Sequence, residues 1–432
     1  MRVVLLYPAY WKKLRLAEIG AVVTGTTPST KNKEYYGGEY KLISPANLDN
    51  GKYVSTWHKS LSKTGFAKCK ALPKDSILVG CIGNVGKIGM TPDEKAATNQ
   101  QINALVCRSS YDPHFIYYCL VFNRPNLEKA AVKTTVPILN KSNFEDFEIL
   151  VPPLPEQRKI AAVLSLVQRA IEQQERLIAL TTELKKALMH KLFTEGVRGE
   201  PQKMTEIGPV PESWEVVELG EVLELAQYGL SKKGVELGNY PILRMTNQVN
   251  GRIVSNDLQW VKIDKEEFRK FAVEKGDILF NRTNSFELVG RTAIFDIEGD
   301  YVFASYLIRL RLFRSRLNPF FLNFYFNSDE TQVRLKSIAT RAVSQSNISA
   351  TRLKGFLIPL PEMDEQVAII NILDVLDSKV NIHEQKRSSL QSLFHSLLHQ
   401  LMTGQRRVHE IHFENIKEKL LIAAEPEVKY NE

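Results

Sequence analysis

The sequence predicts an α+β protein made by internal tandem duplication: two similar globular α/β units separated by two long helices that form a coiled coil. Three observations carry this. Residues 156–193, EQRKIAAVLSLVQRAIEQQERLIALTTELKKALMHKLF, are the longest uninterrupted helical pattern in the chain. A second such stretch begins 209 residues later, at Glu365. The strand-and-turn pattern that precedes the first helix starts over after it.

In the first helix Ile160, Leu164, Val167, Ile171, Gln174, Ile178, Thr181, Lys185, Leu188 and Leu192 follow a 4-3 spacing. Ile369, Leu373, Leu376, Val380, His383, Arg387, Leu390, Phe394, Leu397 and Leu401 repeat it at the same offsets. Neither stripe can be hidden alone, so the helices are expected to pack on each other. Gln174 and His383 share one seam position, as do Thr181 and Leu390, and Lys185 and Phe394. A polar seam residue costs stability but fixes register, so His383 reads as a register or partner contact rather than a metal ligand. Arg387 can cover apolar surface with its stem and keep its charge in water.

The first unit, residues 1–153, is a series of short strands and turns. Its marks are a Gly/Pro/Ser/Thr-rich loop (TGTTPSTKNKEYYGG), the turn Asp49-Asn50-Gly51, the glycine-spaced CIGNVGKIG and a helix at Pro113 to Phe122. Pro152, Pro153 and Pro155 stop its last strand and launch the helical segment 154–196. A breaker-rich linker, 197–213, leads into the second unit, 214–361. There YPILRMTNQVNGR echoes YKLISPANLDNGK, KGDILFNRTN echoes KDSILVGCIGN, NPFFLNFYF echoes DPHFIYYCL, and Trp214-x4-Leu219 echoes Trp11-x4-Leu16. The second helical segment is 362–404, and a charged tail, 405–432, carries no assigned role.

At 432 residues the chain suits two domains, and 44% hydrophobic and 25% charged residues are those of a soluble globular protein. The net charge of +8 is concentrated at the front, where residues 1–153 carry 20 Lys+Arg against 12 Asp+Glu. A basic surface hints at a polyanionic partner. Cys69, Cys81, Cys107 and Cys119 form no C-x-x-C pair and read as buried thiols of a reducing cytosol. The opening MRVVLLYPAY lacks a secretory cleavage pattern, and no window is apolar for long enough to span a membrane.

Catalytic readings find little support. Five residues separate Gly80 from Gly86 and Ile88 follows Lys87, whereas a nucleotide-binding loop needs four residues and a Ser/Thr. Asn318-Pro319-Phe320-Phe321 resembles the loop by which amino-methyltransferases hold a base, but the second Pro is missing and no glycine-rich cofactor loop precedes it. It reads better as a helix cap with Pro at the first position. Pro92-Asp93-Glu94-Lys95 has nuclease-like letters without converging carboxylates. No catalytic or metal-ligating residue is assigned.

Loops rich in Thr, Asn, Gln, Lys and Arg on strands supply what base edges and phosphates require. In the first unit these are Thr26, Thr27, Lys31, Asn32, Lys33, Asn47, Lys52, Asn84, Lys87, Asn99, Gln100 and Gln101. In the second they are Ser231, Lys232, Lys233, Arg244, Thr246, Asn247, Gln248, Asn281, Arg282, Asn284, Arg341, Gln345 and Asn347. Taken singly, each reads better as part of a solvated turn; the set is the stronger signal.

The closing strands ILVPPLPEQ and FLIPLPEMDEQ, each running into a long helix, and the entry EIGPVPESWEVVELGEV resemble the DNA-specificity (S) subunits of type I restriction-modification systems. The resemblance covers about residues 11 to 405 and includes Glu156-Gln157 and Glu365-Gln366. It implies two target recognition domains, each reading one half of a split, asymmetric DNA sequence. It also implies that the helices are antiparallel spacers that dock two methyltransferase (M) subunits, which carry S-adenosylmethionine and methylate adenine. Motor-nuclease (R) subunits would add ATP- and Mg-dependent translocation and cleavage. The chain itself would be a non-catalytic cytoplasmic subunit without a cofactor. The competing readings are a self-contained DNA methyltransferase or restriction enzyme with a degenerate NPFF loop, and an assembly adaptor that no longer reads DNA.

Overall fold

The computed structural model describes residues 8–49, 51–132, 135–341 and 345–410. Residues 1–7 of the opening segment, Asn50 of the predicted turn, residues 342–344 of the Arg341–Asn347 loop and tail residues 411–432 lie outside that range. The chain divides into two compact units, residues 1–176 with 383–432 and residues 177–382. Each holds one globular region and half of each long helix, Leu154–Glu195 and Met363–Met402.

In the first unit the central antiparallel sheet runs Gly20–Thr24, Ile102–Cys107, Ile77–Gly80, Ile88–Met90. Ile77, Leu78 and Val79 are all buried, so this β-branched and leucine run is covered on both faces. A smaller sheet places Tyr36–Ile43 between Lys59–Leu61 and Ala96–Thr98. Strand Lys12–Arg15 pairs with Glu148–Val151, which brings the start of the unit to its end. The second unit repeats the plan. Leu223–Tyr228, Leu307–Leu312, Ile278–Asn281 and Thr292–Ile294 form four strands of a six-stranded sheet, and Glu215–Glu218 pairs with Leu357–Leu360. The helices Pro113–Phe122 and Pro319–Phe326 also correspond, each with Pro in the first turn and an Asp112 or Asn318 cap.

Within each unit the long helices are part of the globular core. Ile160, Val163, Leu164 and Val167 share one core with Phe115, Tyr118 and Phe144 of the first globular region and with Leu397 and Leu401. In the second unit Leu192, Phe193, Ile369 and Leu373 share a core with Trp214 and Phe321. Within each unit the helix segments are antiparallel: residues near 160 meet residues near 401, and Gln174 meets His383 at 2.8 Å. In the second unit Lys185 pairs with Asp377, while Glu365 accepts from the backbone of Val197 at 2.9 Å. The polar seam positions Gln174, His383 and Lys185 therefore make helix-to-helix register contacts.

Two buried glutamines explain the Glu-Gln repeat. Gln366 accepts from Asn318 N at 2.8 Å and donates to Arg316 O and Pro361 O at 2.9 and 2.8 Å. Gln157 does the same work on Asp112 N and Pro152 O, at 2.9 and 2.8 Å. Each amide joins the start of a long helix to the cap of the helix beneath it. Gln366→Leu should cost about 1–3 kcal/mol in urea denaturation, because a buried N–H and two carbonyls lose their partner. A neutral result would show that water reaches the site.

The preceding glutamates mark a second correspondence. Glu365, with its side chain 1% exposed, accepts from Trp214 Nε1 at 3.0 Å beside Gly196 and Pro211. Glu156 accepts from Tyr10 Oη at 3.0 Å in the first unit, where Gly404 lies over Pro8. Both glycines have positive φ, +65° and +67°. The segment after each long helix thus folds back onto the entry of one globular region. Among the described residues no helix is long and apolar enough to cross a membrane.

Candidate nucleic-acid interface

In the first unit three predicted loops converge. Thr26 N donates to Thr98 O at 2.9 Å, and Thr27 Oγ1 donates to Gln100 Oε1 at 2.7 Å, so the Thr-rich loop lies on Asn99–Gln101. Asn99 stiffens that turn by accepting from Gln101 N at 3.1 Å. Cys81 N donates to Gln101 O at 2.8 Å and Gly83 N to Pro137 O at 3.0 Å, which seats the loop of Asn84 and Lys87 beside it. Lys31, Lys33 and Lys87 make no ion pair with the described residues, and Asn32 caps its own turn through Glu34 N. The arrangement is a polar rim with lysines held by backbone geometry.

In the second unit a small sheet does the gathering: Thr283–Asn284 pairs with Ser346–Asn347, which pairs with Thr340–Arg341. Asn284 Nδ2 reaches Met245 Sδ at 3.0 Å, bringing in the loop of Arg244 and exposed Thr246. The Arg282 guanidinium lies 4.6 Å from the Tyr228 ring centre, and that of Arg341 lies 3.9 Å from Phe286. Gln345 is exposed next to this sheet. Ser231, Lys232 and Lys233 are exposed on a loop anchored by Leu230 N to Phe303 O at 2.8 Å, with Lys232 paired to Glu267 at 2.5 Å. Arg244 is tied to Asp257, whose backbone oxygen it meets at 2.8 Å.

Five of the predicted contact residues turn inward rather than toward the rims. Asn47 and Asn247 are 2% and 0% exposed; each accepts from the N–H three residues earlier, Ser44 or Arg244, at 2.9 Å and closes a 3-10 turn. Asn281 is 3% exposed inside its strand. Gln248 donates inward to Leu279 O at 2.7 Å. Lys52 is 7% exposed and donates to Ser165 Oγ on the long helix at 3.0 Å. Burial lowers its ammonium to about 8. Their polarity serves the scaffold, because a strand that turns sharply must satisfy its own backbone groups.

Aromatic side chains were not predicted there. Tyr228 and Tyr306 are 41% and 49% exposed beside Arg282, and Trp57 stands over Lys41 in the first unit. Arginine next to aromatics in loops that differ between the copies was the available signal. Asn318 does not form a base-holding loop: its Oδ1 caps Phe320 N at 3.0 Å, and Phe321 is buried against Trp214 and Phe193. Burial pushes the Cys81 thiol up to about 11 and Cys107 to about 12, which leaves them unreactive.

The family model of the type I restriction modification DNA specificity domain matches residues 8–182 and 211–392. A relative, the MjaVIII specificity subunit of a type I restriction enzyme from Methanocaldococcus jannaschii, is 25% identical over 94% of this chain and 95% of its own length. The EcoKI specificity subunit of Escherichia coli K12 is 22% identical over 85% and 82%. The crystal structure of a type I restriction-modification S subunit from M. genitalium superposes with a TM-score of 0.61 at 18% identity, over 93% of this chain and 98% of that one. A chain from a structure described as the basis of complex assembly and conformational transition of the type I R-M system gives 0.53 at 18% identity, over 92% and 98%. Since the model matches once in each half of the duplication, the chain belongs to the type I restriction-modification DNA specificity family, whose members are non-catalytic specificity subunits.

Proposed function

We propose that each globular region reads one half of a bipartite, asymmetric DNA target, and that the paired helices set the gap between the halves. One observation carries the reading: the two units share a strand framework, caps and glutamine staples, yet differ in the loops those strands present. A common scaffold with two polar rims is what independent reading of two half-sites requires. On this reading residues 1–153 and 214–361 are the recognition domains, 154–196 and 362–404 the spacers, and 197–213 the linker. The remaining residues, 405–432, form an appendage.

The methyltransferase subunits dock on the helices and methylate adenine in each half, and motor-nuclease subunits cleave unmodified DNA in the cytoplasm. S-adenosylmethionine, ATP and Mg belong to those partners. The EcoKI and MjaVIII relatives, named as specificity subunits of type I enzymes, support the assignment of partners. Replacing residues 11–150 with the matching region of another family member should change one half-site and leave the other and the gap intact. Single-molecule methylome mapping reads all three, and a change in both halves would refute independent reading.

A further inference from the structure

The duplication places a cation at one corresponding position in each unit, and the two are treated differently. Gly51-Lys52 and Gly251-Arg252 both follow a turn and both reach a long helix. In the second unit Arg252 meets Asp374 of the helix at 2.8 Å and Asp296 at 2.7 Å. The corresponding positions in the first unit, by the shared helix and strand registers, are Ser165 and Pro92. Lys52 is therefore a buried ammonium with a hydroxyl at 3.0 Å, the Tyr118 ring at 4.8 Å, and no carboxylate at ion-pair distance among the described residues. Asp112, Asp75 and Glu172 act on it only from beyond ion-pair distance, and burial outweighs them, pulling its ammonium down to about 8.

Lys52 faces a cavity of about 420 Å³ between the globular region and the helix, entirely within the first unit. Arg158 and Arg169 line it as well, along with Tyr53, Tyr118 and His114. His114 Nδ1 is buried there without a hydrogen-bond partner. Two carboxylates line the same cavity and keep their charge: Asp112, which caps Phe115 N, and Glu172, which accepts from Gln168 at 3.2 Å. Three cations against two carboxylates leave the lining net positive, and with one buried imidazole nitrogen and aromatic walls it matches a phosphate better than a cation or an apolar ligand.

We propose that this cavity binds a small phosphate-bearing anion free in solution, which supplies to Lys52 the negative charge that Asp374 supplies to Arg252. The site is separate from the DNA-reading rims and does not depend on that proposal. The test is thermal melting of the full chain against inorganic phosphate, with chloride holding ionic strength constant. Wild type should show a saturable rise in melting temperature that follows ligand linkage. Ser165→Asp, which installs the carboxylate of the second unit, should melt higher without phosphate and bind it at least tenfold more weakly. Lys52→Met, which removes the charge, should also lose the response and serves if Ser165→Asp does not fold. A rise of equal size and midpoint in wild type and Lys52→Met, or no saturable rise in wild type, would overturn the site.

Discussion

Replacing Asp277 with Ala should lower stability by about 3–5 kcal/mol, the usual cost of stranding one member of a buried ion pair. Asp277 is 0% exposed and takes both arms of Arg311 at 2.8 Å, as well as Glu274 N at 2.9 Å. Arg309, two residues from Arg311 on the same strand, is itself 4% exposed, and burial lowers its guanidinium. Removing the carboxylate leaves Arg311 with only the largely exposed Glu274 at 3.0 Å and takes the nearest buried negative charge from Arg309. The first unit provides the control. Its corresponding residues are Ser76 and Val106, and Ser76 Oγ donates only to Pro73 O at 2.7 Å. Ser76→Ala should cost about 1 kcal/mol. Urea denaturation of both variants measures the contrast, and equal losses would mean that the Asp277 pair is solvated.

Inserting one heptad into each long helix should lengthen the gap between half-sites by about three base pairs and leave the half-sites unchanged. Seven residues add about 10 Å of helix, against a rise of roughly 3.4 Å per base pair. They return the seam to within about 20° of its phase. The register contacts say where to insert: after Gln174 and before Lys185 in the first helix, and between Asp377 and His383 in the second. Both Gln174–His383 and Lys185–Asp377 then survive. Insertion in one helix alone should break register and abolish specific methylation. Methylome mapping that returned altered half-sites with the original gap would remove the ruler from the proposal.

The duplication and the helices were legible because they rest on repeated apolar spacing. Trp11 and Trp214, the caps Asp112 and Asn318, and the helix starts at Leu154 and Met363 all fall where the pattern places them. The role of the helices was less visible: a 4-3 stripe says that Ile160 and Leu164 are covered, but not that Phe115 and Tyr118 help to cover them. The polar loops proposed for recognition could be picked out only as sets. Polar letters cannot tell Asn247, folded inward to close a turn, from Thr246, which is exposed beside it. Nor does a lysine after Asn-Gly announce that it will be buried against a serine. That depends on which residue another element brings opposite, information that lies 113 positions away for Lys52 and Ser165.

The ion pair in the second unit also bears on how such a duplicated protein can change. One unit fills the corner with Ser76 and Val106, the other with Asp277 and Arg311, and each solution is self-consistent. Losing Arg311 first strands the fully buried Asp277, and losing Asp277 first leaves Arg311 only the exposed Glu274, so the exchange is strongly epistatic. The two copies cannot drift back toward each other one residue at a time at this corner. Their loops can diverge freely on the outside while a two-step barrier inside keeps the scaffolds distinct.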